Sequence, residues 1–310
     1  MRPSLTREII LSCLLLQACN QPFQPDGAYN GRLAVYAILT SSSDTQFVRL
    51  GRTYETSVSG DVTDAVVDII PGNGAPAVHF RDTTVTRQDP SGGTGTYNVY
   101  VAYSFRPQSH VSYQLTATSP SAGTAQGTTV ALGAATDNIV NPASLISSPD
   151  SIVLAAEFGT SVGAYVFQLY IEYELTAGGV TTLQKAEVPL GATTDASGNE
   201  TFQYPVFARV PQAVSGAGFS AASTWFPKTL YVSTQAGIIK NNAPGSVRIT
   251  AAEYTLTQID EALYDYYYIL NGPKDLSTIR LDAPDFTNIT NGVGVIASTQ
   301  MIVHEVALPQ

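Results

Sequence analysis

The residues that could do chemistry are few. Gly159-Thr160-Ser161-Val162-Gly163 has the glycine-x-serine-x-glycine spacing of a serine nucleophile. That chemistry needs the serine on a sharp strand-to-helix turn, with a helix dipole and an oxyanion hole behind it. Here the following residues alternate as a long strand, so the segment reads as a hairpin turn. The three histidines, His79, His110 and His304, are far apart and fall in different expected elements. None has metal-ligand spacing to another, which favours surface and turn histidines over a zinc site. A glycosidase needs two carboxylates at a defined separation. Glu172 and Glu174 share a strand face, but that face alternates with the core, so solvation accounts for them. Asp282 and Asp285 could bind calcium with the Asn288 carbonyl, although turn-forming Asx residues are the simpler account. Gly292-Val293-Gly294 lacks a phosphate loop's full pattern and marks close backbone approach within a sheet. No catalytic, cofactor or metal residue is assigned.

The N-terminus carries the strongest local signal. Arg2 and Arg7 form a positive region, and Ile9 to Leu16 a short apolar run, too short to span a bilayer. Leu16-Gln17-Ala18-Cys19 resembles a lipobox, after which Cys19 would be diacylated. Residues 1–18 are therefore expected to be a lipoprotein signal peptide, and 19–32 a lipidated cysteine and tether. Cys13 and Cys19 are the two cysteines, so the processed chain could form no internal disulfide. Two or three acyl chains on one residue give stable anchoring. Ordinary secretion, with cleavage after Ala18, is the alternative.

Composition narrows the field further. Hydrophobic residues make up 44% and charged residues 13%, a globular profile. The net charge is −10, and no stripe of cations is present to engage nucleic-acid phosphates. Seventeen tyrosines, with abundant Thr and Val, suit pleated half-buried surfaces, and 25 Gly and 18 Pro supply turns.

These features predict a mostly β fold. Strands spaced from 33 to 135 point to an immunoglobulin-like or transthyretin-like sandwich. Within it, Tyr97, Val99, Val101, Tyr103 and Phe105 share one face, and Arg106-Pro107-Gln108-Ser109 is expected to turn the chain into Val111–Thr118 as a hairpin. Residues 136–150 read as a linker. A second β-rich domain follows over 151–310, with Tyr165, Phe167, Leu169, Ile171 and Tyr173 on one face, and strands near 180–189, 201–209, 228–235 and 246–253. One amphipathic helix is expected over 257–271, capped by Thr257, with Ile259, Leu263, Tyr266 and Leu270 as its core stripe. Its tyrosines Tyr264, Tyr267 and Tyr268 form a candidate interaction surface, set against the plainer reading of a helix packed across a sheet.

Three segments together resemble a family of Bacteroidota outer-membrane lipoproteins catalogued as a domain of unknown function, DUF4249. They are the lipobox leading into Leu33-Ala34-Val35-Tyr36-Ala37-Ile38-Leu39; the strands Phe47–Thr53 and Val62–Val67; and the Tyr-rich helix followed by Asn288-Ile289-Thr290-Asn291-Gly292-Val293-Gly294. The resemblance implies an envelope lipoprotein, often encoded beside TonB-dependent transporters, and supplies no catalytic residues. The first acidic residue after Cys19 is Asp26, which leaves the periplasmic and outer faces both open. The leading expectation is a non-catalytic, lipid-anchored outer-membrane protein that partners a transporter and captures a small ligand. An envelope hydrolase acting on glycans and a structural surface adhesin are the alternatives.

Overall fold

The computed structural model describes residues 31–53, 61–88, 94–133, 150–211, 219–271 and 286–306. Cys13, Cys19, Asp282 and Asp285 lie outside the described residues, as does the expected linker up to residue 149. The fold is mostly β and is built from alternation. In β1 (Leu33–Thr40), Leu33, Val35, Ala37 and Leu39 are buried while their neighbours are half-buried. β2 (Gln46–Arg52) folds back on β1 with Val35 opposite Leu50.

Two sheets close over this face. β3 (Val66–Pro71) pairs with Val78–Phe80 at the start of β4 (Val78–Gln88), while the rest of β4 pairs with β5 (Thr94–Ala102) beside β2. β4 thus passes from one layer to the other. β6 (Ser112–Ser119) and β7 (Gly123–Val130) extend the β3 layer. Between the layers lie Leu33, Leu50, Ile69, Phe80, Tyr100 and Leu115, a sandwich core.

The expected hairpin between 97–105 and 111–118 does not form. β5 already has β2 and β4 on its two edges, so β6 joins the opposite layer beside β3. β5 is buried on both faces from Asn98 to Ala102: Val99 and Val101 of the expected face are covered, while Tyr100 and Ala102 of the other face join the sandwich core. Tyr100 enters the core because its hydroxyl donates to the Val62 carbonyl (2.9 Å) and accepts from the Ala65 N–H (3.1 Å).

The second half uses longer strands. β8 (Ser151–Gly159) pairs with β14 (Phe219–Pro227) in a small separate sheet. β9 (Val162–Ala177) lies between β10 (Val180–Glu187) and β15 (Val247–Asp260). Short strands β11 (Gly191–Thr194) and β12 (Glu200–Gln203) pair with each other, and β13 (Ala208–Arg209) pairs with β9. Phe158, Phe226, Phe167, Leu169 and Leu256 fill the space between the two layers.

After β16 (Ile289–Thr290), β17 (Gly292–Val306) ties the halves together. Residues 292–299 run parallel to β1, and residues 299–306 run antiparallel to β15. One sheet thus contains strands from both sides of residues 134–149.

Two helices occur among the described residues where one was expected. α1 (Lys228–Lys240) replaces the strand expected at 228–235. Pro227 ends β14, the Ser233 and Thr234 hydroxyls donate back to the Leu230 carbonyl, and Tyr231 and Ile238, two turns apart, face the core. α2 (Glu261–Asn271) begins four residues beyond the expected cap. Thr257 to Ile259 stay paired with both β9 and β17, and Asp260 caps the helix by accepting from the Leu263 N–H at 2.9 Å. Leu263 packs α2 across the outer face of the sheet, against Ala164, Ile259, Val295 and Ala297.

Candidate functional site

Ser161 sits in a two-residue turn between β8 and β9, which belong to different sheets. The segment is thus a corner between layers and not a hairpin, and a strand, not a helix, follows it. Gly163 has a packing reason: a Cβ there would lie 2.5 Å from Glu261 Cα, where α2 begins. His79 pairs with Asp68 across β3 and β4, His110 holds a turn at φ 63°, and His304 stacks on Tyr254 at 5.3 Å. Among the described residues no group of three or more His, Cys, Asp or Glu could hold a metal ion.

The acidic pair separates. Glu174 receives both guanidinium arms of Arg248, at 2.8 and 3.0 Å. Glu172, expected to be solvated, is only 5% exposed and meets the Lys185 ammonium at 2.9 Å. Glu253, 6% exposed, shares that ammonium. Lys185 is held above the usual lysine range by hydrogen bonds to Glu253 and Glu172. A lysine fixed in its charged form between two carboxylates is an ion-pair clamp between β9, β10 and β15, unsuited to proton transfer. Sequence reasoning missed Glu253 and Lys185 because their meeting depends on strand register.

The C-terminal motif is a structural device. Asn288 reads Ile296 from both sides, donating to its carbonyl at 2.7 Å and accepting from its N–H at 2.9 Å. Its amide is committed to the backbone. Asn291 turns at φ 58°, and Gly294, at φ 108°, has its α-carbon so close to Val35 that a Cβ would overlap the Val35 carbonyl oxygen.

Tyr264 and Tyr266 of α2 pack against the sheet. Tyr267 and Tyr36 share a hydroxyl hydrogen bond at 2.6 Å, and burial pushes the Tyr36 hydroxyl well above the ordinary tyrosine range. Arg209 stacks over Tyr264 at 5.0 Å and pairs with Asp265 and Glu261. The side chain of Tyr268 lies outside the described residues.

A cleft opens on the second half and was not read from the sequence. Its cause is a gap in strand pairing. β10 leaves β9 at Tyr170, and β13 joins β9 only at Tyr165 and Ala164. Between them Val166 and Phe167 have no strand partner on that edge, and the 204–206 segment bends over the gap. From the other layer, Ser223 to Trp225 of β14 complete the wall, giving a cavity of about 380 Å³. Its surface is aromatic (Tyr165, Phe167, Tyr204, Trp225), with hydroxyls from Ser223 and Thr224, and among the described residues no Asp, Glu, Lys, Arg or His lines it. Trp225, the single tryptophan, is 57% exposed and Tyr204 is 47% exposed. The Trp225 indole N–H donates to Ser223 Oγ at 3.1 Å, which fixes the ring. Exposed Trp and Tyr around a concave surface are a recurrent mark of binding sites.

No curated protein matches the chain in sequence. Among solved structures, the chain is similar to the C-terminal globular domain of an oligosaccharyltransferase from Pyrococcus abyssi, at 12% identity and a TM-score of 0.28. That match covers 76% of this chain and 50% of the other, so the chain spans about half the length of that structure, and a likeness this slight carries no argument. The family comparison is extensive: the model of the domain of unknown function DUF4249 matches residues 20–301, and the chain belongs to that family.

Proposed function

We propose that the protein is a non-catalytic, lipid-anchored component of the outer membrane that captures a small ligand in the Trp225 cleft and works beside a transporter. The cleft carries this reading. It is concave, aromatic and open, its volume lies within the small-ligand range of about 300–1,000 Å³, and among the described residues its lining holds no carboxylate, histidine, lysine or arginine. The lipobox at Leu16–Cys19 supplies the anchor in this account, and the aromatic wall supplies the recognition.

The test combines anchor and cleft in the full chain. After expression in a host with an outer membrane, mass spectrometry of the N-terminal peptide is expected to find Cys19 acylated. Cys19→Ser is expected to move the protein from membrane to soluble fractions while leaving ligand binding intact. An unmodified Cys19, or membrane association that survives Cys19→Ser, would contradict the anchor. Ligand binding unchanged by Trp225→Ala would contradict the cleft.

A further inference from the structure

We propose that the cleft between β9 and β14 recognises a neutral saccharide, with one sugar ring stacked on the Trp225 indole. This deepens the ligand-binding reading above and rests on it.

Charge is the first argument. Among the described residues no Asp, Glu, Lys, Arg or His lines the cleft, and the chain as a whole carries a net charge of −10. An ionised ligand entering it would lose hydration without gaining a counter-charge, and an anion would also meet the field of an acidic protein. The occupant is therefore uncharged.

Amphipathic geometry is the second. Tyr204 and Trp225 offer exposed aromatic faces, while Ser223, Thr224 and the tyrosine hydroxyls stand among them. Thr224 and Tyr165 already hydrogen-bond each other, so the demand falls on Ser223, whose hydroxyl hydrogen a purely apolar ligand would cover without offering an acceptor. A sugar ring meets both demands: its C–H face lies on an aromatic ring, and its hydroxyl rim accepts from Ser223. Among the described residues β14 pairs with β8 along one edge only.

Preorganisation is the third. An indole used only for packing has no need of a fixed, exposed face. Here the Trp225 N–H is already bonded to Ser223 Oγ, so the ring's polar atom is satisfied without ligand and the π face is left for stacking. The Ser223 hydroxyl accepts that bond and keeps its own hydrogen to donate to a ligand. With the ring held in place, less conformational entropy is lost on binding.

Because Trp225 is the chain's single tryptophan, its emission reports on the cleft alone. The full chain, as detergent-solubilised lipoprotein, is titrated with neutral oligosaccharides (maltoheptaose, cellohexaose, xylohexaose, chitohexaose), with anionic hexagalacturonate and with a capped apolar tripeptide. Trp225 emission is expected to change saturably with at least one neutral oligosaccharide and with neither other probe. By calorimetry, Trp225→Ala is expected to weaken that binding at least tenfold and Trp225→Phe, which keeps a stacking ring, clearly less. Thermal midpoints of both variants separate lost binding from lost fold. Saturable binding of the tripeptide or of hexagalacturonate alone would overturn the saccharide assignment and leave the ligand-binding reading standing. Silence towards every probe, and equally towards an envelope extract, would overturn both.

Discussion

Replacing Lys185 with Met should remove the cation that Glu172 and Glu253 share and leave two buried carboxylates facing each other. Groups that touch one ammonium are on the order of 5 Å apart, and at an effective dielectric of about 20 their repulsion is about 3 kcal/mol. The Lys185 side chain is 41% exposed, so water reaches the site, and screening reduces the expected loss to about 2 kcal/mol. For a chain of this size that is about 4 °C in Tm. Urea denaturation at neutral pH measures the loss directly. A second variant isolates its cause: adding Glu172→Gln and Glu253→Gln to Lys185→Met removes the unpaired charges and should return stability to within about 1 kcal/mol of the native chain. The pH dependence has a definite sign. The folded-state pKa of Lys185 is raised, so its contribution is fully present below the unfolded value of about 10.4 and is lost as pH rises through the folded value. The difference between native and Lys185→Met chains should hold from pH 7 to about 10 and close above that. A neutral Lys185→Met substitution, or a triple variant as unstable as the single one, would refute the clamp.

Two further substitutions probe the joints of the fold. Gly294→Ala places a side chain against the Val35 carbonyl at φ 108° and should cost about 2–4 kcal/mol, from backbone strain plus a lost rung between β1 and β17; thermal denaturation checks it, and a change below about 0.5 kcal/mol would refute the close approach. Asp260 accepts from Thr129, Leu263 and Ser298, yet burial outweighs those bonds and raises its carboxyl above the usual range. Asp260→Asn should cost about 2 kcal/mol by leaving one donor unpaired. A raised acid favours the folded state in its protonated form, so the advantage of the native chain over Asp260→Asn should grow as pH falls through the folded-state value towards the unfolded value of about 3.9; an advantage that shrinks would reverse the assignment.

The local patterns were legible in the sequence. The apolar run Leu33–Leu39 was readable as a strand, alternation in Tyr165–Tyr173 placed a strand with the correct buried face, and the Tyr-rich segment was readable as a helix lying across a sheet. Gly292-Val293-Gly294 was readable as backbone approach, since its glycines sit where a Cβ finds no room. What was lost depended on partners distant in the chain. The 97–118 hairpin failed because β2 and β4 took both edges of β5 first. Thr257 was misread as a cap because its pairing with β9 and β17 leaves no trace in the helical stripe that follows. Lys228–Lys240 carries β-branched residues that favour a strand, and only tertiary packing of Tyr231 and Ile238 makes it a helix. The cleft was the least legible feature, because a gap between β10 and β13 along β9 has no signature in composition or spacing.

The proposed partnership with a transporter is tested most directly by what co-purifies with the protein. The tagged protein, extracted gently from the cell envelope and purified under mild detergent, is expected, on the proposed function, to bring a transporter with it in stoichiometric amount, from native and Trp225→Ala chains alike. Recovery of the protein alone would contradict the proposed role as a transporter's accessory.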